Sequence, residues 1–518
     1  MNGIQIVVGV EMLFNSFVFI GLFLPVTLIV YHLAVRSGHW RLSLYWLILA
    51  SLIFYGWWFP PYLILILGSI IANFVFGEWL RRTGSTLILV IGVGLNLVLI
   101  GVFKYANFFL STVASIVDAP PLSSSLVLPL AISFFTFQQI AYLVDCQRGQ
   151  CDATDPLHYA FFVTFFPQLI AGPIVHHNEI IPQLRTGRRG GLDEHDLAAG
   201  FALFAIGLVK KVMIADQLAL YVDPVFADAQ GGIAPGLVVA WGATAAFTLQ
   251  LYFDFSGYSD MAIGLARLFG IRLPENFDAP YRASSIIDFW RRWHMTLSRF
   301  LRDYLYRALG GNRRGRPRQV AAIIVTMLLG GLWHGAGWTF VLWGGIHGVL
   351  LAINHVWRAV RYDFTRGSVR PGPFRLLIGW LVTLLCVHFA WVLFRAESFA
   401  AAGRIYDGML GLNGTQLPEY YLLMLGSLGP FLANAGVVFE PIQNFHFDGA
   451  EQVLVTGIAM IVAIAGPTST QLVSRLERGE GVLRSLGWPQ GLVAGAAVAT
   501  ALLALYADPP QKFIYFQF

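Results

Sequence analysis

Charged side chains are scarce in this sequence. Of its 518 residues, 57% are hydrophobic and only 12% are Asp, Glu, Lys or Arg, whereas an average soluble domain carries about 25% charged residues. Apolar runs long enough to cross the roughly 30 Å hydrocarbon core of a bilayer recur along the chain. This composition excludes an ordinary soluble domain. It predicts an all-α polytopic membrane protein with about eleven transmembrane helices, together with re-entrant and interfacial helices.

Several other features are missing. There is no Walker loop, no dinucleotide-binding glycine pattern and no Ser-His-Asp order, and the three cysteines lack the spacing of a metal site. Cys146 and Cys151 can form a disulfide or remain unpaired thiols, and the sequence leaves both alternatives open. The N-terminus lacks a basic region, so we expect no cleavable signal peptide, and residues 1–11 read as a start-site extension before Met12. The net charge of +5 fits the basic bias of cytoplasmic loops and requires no nucleic-acid partner.

Basic residues predict the face of the membrane that each loop occupies, because cytoplasmic loops are enriched in Lys and Arg. Nothing basic precedes the first apolar run, so we expect the N-terminus outside. Residues 282–318 hold ten arginines against two aspartates and are expected in the cytoplasm. Only Lys512 follows the last apolar run, which predicts an extracytoplasmic C-terminal tail, residues 507–518. Two external termini require an even number of crossings, which leaves the count of about eleven open.

Two Trp-His pairs stand 40 residues apart, and the first lies in residues 284–309. Apolar residues recur there at helical spacing, and arginines fill the opposite face. The pattern predicts one amphipathic helix at the cytoplasmic interface, carrying Trp293 and His294.

The second pair, Trp333 and His334, lies in an apolar segment, residues 319–357, whose flanks are both basic. From Val320 to His334 a helix would rise about 21 Å, which is too short to cross a bilayer. We therefore predict a re-entrant hairpin that turns at residues 335–337 and holds His334 at its buried tip. Non-helical backbone is tolerated at such depth only inside protein or beside a cavity.

Five motifs follow one another in a fixed order, and two of them contain the Trp-His pairs. Each is weak alone, but together they resemble the membrane-bound O-acyltransferase family, in particular the bacterial branch that acetylates alginate or D-alanylates teichoic acids. The resemblance runs from Phe14 to Phe518. One departure lies at residues 306–309, Tyr-Arg-Ala-Leu, where relatives tend to have Ile-Pro-Leu. The motifs are Tyr252–Asp260, Pro274–Phe277, Phe289–Ser298, Leu309–Arg313 and Gly331–Gly335.

The resemblance implies a single integral-membrane domain, residues 1–518, built around a central tunnel. It implies O-acyl transfer, favouring O-acetylation of an alginate-like exopolysaccharide or another envelope glycan, with acetyl-CoA or an acyl carrier protein thioester as the donor. It also implies a bacterial inner-membrane location, membrane lipid as the surroundings, a periplasmic SGNH-type acetyltransferase or esterase as partner, and contact with polysaccharide synthesis and export machinery. A transporter and a non-catalytic export scaffold are the alternatives from other classes.

The two histidines are the predicted catalytic residues. A neutral imidazole can accept the proton of a hydroxyl that attacks a thioester, which we expect of His334. The resemblance implies that His294 positions the acyl group, although it can also simply fill a helix face. The basic cytoplasmic face, which includes Arg313 and Arg314, would attract donor phosphates. Residues expected to bind substrate or donor are Trp293, Trp333, Arg291, Arg292, Asp254, Tyr258 and Asn312.

Other polar residues in apolar segments keep two readings. Asp254 or Asp260 can orient His334 or pair structurally with arginines and tyrosines. Lys210 and Lys211 can snorkel to the interface or dock a donor phosphate. The remaining apolar-segment histidines read as structural: His347, His355 and His388.

The C-terminal tail is unusually aromatic. Four of the residues from Phe513 to Phe518 are Phe or Tyr, and such a tail in water would expose an apolar patch. We expect it to dock at the outer side of the site. Tyr515 is then predicted to carry the acyl group on its hydroxyl as a covalent relay, the alternative being that the tail only packs or binds a partner.

Overall fold

The computed structural model describes most of the chain. The described residues are 12–120, 128–152, 155–185, 193–365, 372–441, 446, 449–478, 488–507 and 513–514. The expected start-site extension, residues 1–11, lies outside them, as does Tyr515. The chain divides into two compact units. The first comprises residues 1–212, 257–275 and 469–512, and the second comprises residues 213–256, 276–468 and 513–518.

The first unit is a bundle of apolar helices. Two of its connections are π-helical turns at Phe19–Phe23 and Gly101–Tyr105, and a third, Lys210–Ala215, continues into the second unit. Its helices are Leu24–Arg36, Trp40–Gly56, Tyr62–Thr83, Thr86–Ile100, Ala106–Ile116, Ile132–Gln147, Pro156–Thr164, Phe166–Leu169, His177–Arg185, Glu194–Val209, Ser469–Glu477 and Trp488–Ala507.

Buried amides join three of these helices. Asn96 Nδ2 donates to Asn73 Oδ1 at 2.6 Å, and Asn73 Nδ2 donates back to Asn96 Oδ1 at 3.3 Å. Asn73 Nδ2 also donates to Gln139 Oε1, which accepts from Ser69 as well. Apolar surfaces alone give helices little reason to associate in lipid, so such hydrogen bonds contribute to their pairing.

Lys210 and Asp260 form a partly buried ion pair in the same unit. Lys210 Nζ lies 2.7 Å from Asp260 Oδ2 and 2.7 Å from Ser469 Oγ, and Ser469 Oγ donates to Asp260 Oδ2 at 2.5 Å. A buried charge is stabilised by such pairing. Asp260 is therefore paired, but with Lys210 and Ser469 rather than with the arginines or tyrosines that were expected.

The cysteines are unpaired. Cys146 and Cys151 are buried thiols and Cys386 is partly buried, so the reading without a disulfide is confirmed.

The second unit contains both Trp-His pairs. Its helix Leu237–Leu268 continues into the first unit. The other helices are Asp216–Gly231, Ile286–Arg292, Met295–Phe300, Arg316–His334, Trp338–Thr365, Pro373–Arg395, Phe399–Met409, Tyr420–Met424, Leu428–Asn434 and Ala450–Ala465, with 3₁₀ turns at Pro280–Arg282 and Gly311–Arg314 and a π turn at Leu301–Tyr306.

A short parallel ribbon interrupts the otherwise helical pattern. Strand Thr415–Pro418 pairs with strand Val437–Glu440, with Thr415 opposite Val437. Two short helices between the strands make the crossover that a parallel pair needs. The sequence had predicted only helices here.

The expectation of one helix over residues 284–309 is wrong. The helix Ile286–Arg292 ends before His294, and a second helix runs from Met295 to Phe300. His294 has φ of +42°, in the left-handed region, so the α-helix cannot continue through it. The position of this segment at a membrane interface stays a prediction.

Two helices joined by a short turn lie where the re-entrant hairpin was predicted, and the re-entry itself stays a prediction. Its first arm is Arg316–His334 and its second arm is Trp338–Thr365, so the turn falls at residues 335–337 as expected. The arms pack backbone to backbone. A Cβ at Gly344 would overlap the Met327 carbonyl oxygen, and one at Gly331 would overlap the Phe340 carbonyl oxygen. Small residues permit this close approach between helices in membranes.

Helix length and composition limit the number of crossings. Seven helices in the described part of the chain are long and apolar enough to span a membrane, or eight if Ala450–Ala465 and Ser469–Arg475 form one span. About eleven crossings are therefore not confirmed. Residues 338–360 of the second hairpin arm are among the seven, whereas the shorter first arm is not. The seven are Phe19–Arg36, Tyr62–Thr83, Thr86–Ile116, Glu194–Gly231, Leu237–Leu268, Trp338–Val360 and Pro373–Arg395.

Replacing Gly344 by Ala should separate the hairpin arms. The added methyl meets backbone, which cannot move aside cheaply, and overpacking of this kind costs about 1–3 kcal/mol. We expect a lower thermal unfolding midpoint of the purified protein in detergent. Gly345→Ala is the matched control, because its Cβ would lie 3.2 Å from the flexible tip of Leu328. Equal midpoints for the two variants would contradict the importance of this contact.

Candidate active site

The two Trp-His pairs meet in the interior of the second unit. The His294 and His334 ring centroids lie 6.4 Å apart, and the Trp333 ring lies 4.9 Å from His334 and 6.1 Å from His294. His294 is 0% exposed and His334 is 4% exposed. Residues 40 positions apart therefore form one buried cluster, as the two-histidine hypothesis requires.

The hairpin turn fixes His334. This residue ends the first arm, and its ring packs edge-on against Trp343 at 5.1 Å and Phe394 at 5.3 Å. A Cβ at the next residue, Gly335, would overlap the Phe340 ring, so only glycine lets the chain turn this closely. The imidazole is therefore held by aromatic walls on a tight turn.

Asn276 holds the break at His294. The Asn276 backbone carbonyl accepts from Met295 N at 2.9 Å, and its Oδ1 accepts from Thr296 Oγ1 at 2.9 Å and Thr296 N at 3.4 Å. His294 Nδ1 lies 3.0 Å from the same Oδ1. A left-handed non-glycine residue costs roughly 1–2 kcal/mol, and these bonds offset the strain.

The same contacts define the protonation of His294. A backbone N–H can only donate, so the Asn276 atom facing Thr296 is the oxygen, and His294 Nδ1 must carry a proton to bond to it. Burial lowers the pKa of His294 to about 3, because an imidazolium loses its hydration there. At neutral pH, His294 is therefore an uncharged imidazole whose Nε2 has a lone pair for accepting a proton or a hydrogen bond.

The start of the C-terminal tail lies beside this cluster. Ile514 N donates to Asp254 Oδ2 at 2.9 Å, and the Phe513 ring packs on Phe255 at 5.6 Å. The Phe255 ring in turn meets His294 edge-on at 4.7 Å. Asp254, one of the predicted site residues, thus binds the tail backbone directly before the undescribed Tyr515.

Three other predicted site residues have distinct environments. Trp293 is fully buried and packs against Phe277 and Trp391, so it belongs to the aromatic core next to the site. Arg292 bonds the Asp288 and Asp278 carboxylates at 3.0 and 3.3 Å, which neutralise much of its charge. Arg291 is exposed and remains the better candidate for meeting an anionic donor.

Tyr258 and Asn312 are two further predicted site residues. Tyr258 belongs to the first unit, where its ring stacks on Phe14 at 4.7 Å. Asn312 is exposed, and its Oδ1 accepts from Tyr306 and Gln319 at the start of the hairpin. Its contacts fit a loop-stabilising residue.

His388 has the contacts of a structural histidine. Its Nε2 lies 3.1 Å from Thr244 Oγ1 and its Nδ1 lies 2.9 Å from Thr248 Oγ1, so both ring nitrogens bond to one neighbouring helix. Trp241 stacks on the imidazole at 5.2 Å. These contacts support the structural reading of this residue.

Asn276 is the residue that the sequence reasoning missed. It lies within the motif Pro274–Phe277, but no role followed from its position 18 residues before His294. An asparagine in a short polar motif next to an arginine-rich segment was the available signal.

The fold and site define a class: a polytopic α-helical membrane protein with a buried histidine pair on a helix break and a hairpin turn. The sequence model of the MBOAT family (membrane-bound O-acyltransferase family) matches residues 146–396, and this range includes both histidines. Curated relatives match almost the whole chain. The chain belongs to the membrane-bound O-acyltransferase family and is a multi-pass membrane acyltransferase. Membership in this family of enzymes weighs against the transporter and scaffold alternatives.

Three relatives narrow the comparison. The probable alginate O-acetylase of Pseudomonas putida is 42% identical over 98% of this chain and 100% of its own length. The peptidoglycan O-acetyltransferase of Helicobacter pylori is 41% identical over 78% of this chain and 81% of its own. The teichoic acid D-alanyltransferase of Streptococcus thermophilus is 28% identical over 52% of this chain and 69% of its own.

Replacing Asn276 by Ala should impair the site. The change leaves buried donors without their acceptor, which costs about 1–3 kcal/mol for each. We expect the rate of acyl transfer per folded protein to fall about tenfold or more. Asn413→Ala is the control, because it removes a side-chain hydrogen bond of another asparagine, from Asn413 Nδ2 to the Pro235 carbonyl oxygen. A parental transfer rate for Asn276→Ala would show that the hydrogen bonds of Asn276 are not needed for catalysis.

Proposed function

We propose that this protein moves an acetyl group from a cytoplasmic thioester, acetyl-CoA or an acyl carrier protein, to the outside of the bacterial inner membrane. The group then O-acetylates an exported polysaccharide or another envelope glycan. The observation that carries the proposal is the proximity of the two buried histidines, whose ring centroids lie 6.4 Å apart, in a chain of this family.

An alginate-like polymer is the favoured acceptor. Four relatives named as probable alginate O-acetylases align over 98% of the chain and a fifth over 79%, whereas the peptidoglycan O-acetyltransferase aligns over 78%. Both names describe O-acetylation of a polymer. A partner of the SGNH esterase type and the polysaccharide export machinery would complete delivery.

The roles of the histidines follow from their surroundings. His334, on the tight hairpin turn, takes the proton of the attacking hydroxyl as general base. His294, neutral and oriented by Asn276, positions the acyl group through its Nε2. The exposed Arg291 at the basic segment attracts the phosphates of the donor. Aromatic side chains around the pair limit access of water that would hydrolyse the thioester.

The tail proposal rests on the two tail residues that the structure describes. Phe513 and Ile514 are buried against Phe255 and Asp254, and Phe255 contacts His294. Tyr515 is the next residue in the chain, and its position directly after this docked pair supports the relay. As a relay, the Tyr515 oxygen attacks the thioester carbonyl, its proton passes to His334, and the donor thiolate leaves. The tyrosyl ester then passes the acetyl group to the outer partner.

His334→Ala tests the general base. We expect consumption of acetyl-CoA by the purified protein to fall about 10²–10⁴-fold, with unchanged expression and membrane insertion. His355→Ala is the matched control, a partly buried histidine further along the second hairpin arm. Near-parental consumption by His334→Ala would refute the proposed mechanism.

Tyr515→Phe tests the relay. The change keeps the aromatic ring and removes only the hydroxyl, so we expect the tail to stay docked while glycan acetylation in cells is lost. Tyr506→Phe serves as control, because Tyr506 is a highly exposed tyrosine on the last described helix. Glycan acetylation that survives Tyr515→Phe would leave docking as the sole role of the tail.

A further inference from the structure

The second hairpin arm carries two buried polar side chains, and one of them packs on His334. Trp343 and His347 are one helical turn apart, with ring centroids 4.8 Å from each other, and the Trp343 ring lies 5.1 Å from His334. Trp343 is 1% exposed and His347 is 0% exposed. The sequence had predicted His347 to be structural.

One hydrogen bond determines what His347 can do. Trp290 Nε1 lies 3.2 Å from His347 Nδ1, and an indole N–H can only donate. Nδ1 is therefore the acceptor, and in the neutral ring the proton sits on Nε2. Phe289 stacks on the imidazole at 6.2 Å and holds its plane. His347 thus presents a fixed N–H donor at Nε2.

Trp343 supplies a second donor. Within the described part of the chain, neither Trp343 Nε1 nor His347 Nε2 has a hydrogen-bond partner. A buried donor without an acceptor costs about 1–3 kcal/mol, so buried donors in native proteins almost always serve a partner. Two uncharged donors in an aromatic wall favour an uncharged acceptor oxygen, such as the carbonyl oxygen of a thioester or an ester.

We propose that Trp343 Nε1–H and His347 Nε2–H bind the acyl carbonyl oxygen while the acyl group is transferred at His334. This inference rests on the proposed function. As the hydroxyl oxygen attacks the carbonyl carbon, the C–O bond forms, the π electron pair moves onto the carbonyl oxygen, and His334 takes the hydroxyl proton. The two N–H groups stabilise this oxyanion. The C–S bond then breaks, and the departing thiolate receives the proton from His334.

Trp290 acts through His347. Its N–H fixes the tautomer that leaves the proton on Nε2, so it is a positioning residue. The two donors, Trp343 and His347, therefore depend on two elements. These are the helix Ile286–Arg292, which carries Trp290, and the second hairpin arm.

The test compares Trp343→Phe, His347→Gln and His347→Leu in the full-length protein, with acetyl-CoA as donor. Trp343→Phe keeps the packing and removes one donor, so kcat should fall about 10²-fold while the KM for acetyl-CoA is unchanged. His347→Leu should lower kcat by a similar factor. His347→Gln should recover part of that loss, because the glutamine amide places an N–H near the position of Nε2.

His388→Gln is the control for replacing a buried histidine, and it should keep the parental kcat per folded protein. Parental kcat for both Trp343→Phe and His347→Leu would overturn the proposal, as would equal losses in His347→Gln and His347→Leu. If the histidine variants fold poorly, Trp343→Phe alone decides. An inactive His334→Ala beside a fully active Trp343→Phe would refute this inference and leave the proposed function standing.

Discussion

Close backbone contact between the two arms of the hairpin is the constraint on which the site depends. Gly331 on the first arm and Gly344 on the second face backbone atoms of the opposite arm, with no room for a side chain. Lipid provides little hydrophobic force between helices, so dispersion contacts at short distance hold such arms together. The close approach brings His334, at the end of one arm, against Trp343 on the other.

Two imidazoles of this cluster, His294 and His347, bond through Nδ1 to opposite kinds of partner. Asn276 accepts from His294 Nδ1 and leaves its Nε2 as an acceptor. Trp290 donates to His347 Nδ1 and leaves its Nε2 as a donor. Because the surroundings are aromatic and buried, each hydrogen bond is stronger than it would be in water. His294 can therefore accept a hydrogen bond at Nε2, whereas His347 can donate one from its Nε2.

Some of this arrangement could be predicted from the sequence. Glycines after an apolar run predicted the turn at residues 335–337, and helix rise predicted a short first arm ending at His334. The single helix over residues 284–309 was wrong because apolar spacing is unchanged by one left-handed residue. The break at His294 depends on Asn276, 18 residues away, which no local pattern reveals. The parallel ribbon depended in the same way on pairing between distant segments.

The sequence by itself determined the class of protein, the family and the two Trp-His pairs, because hydropathy, charge bias and ordered motifs are local properties of the chain. The tertiary structure decided which groups act together. It placed His294 beside His334, moved Arg292 into ion pairs with aspartates, and set the tautomers of His294 and His347. Those outcomes depend on distances between segments far apart in the chain, and only packing fixes such distances.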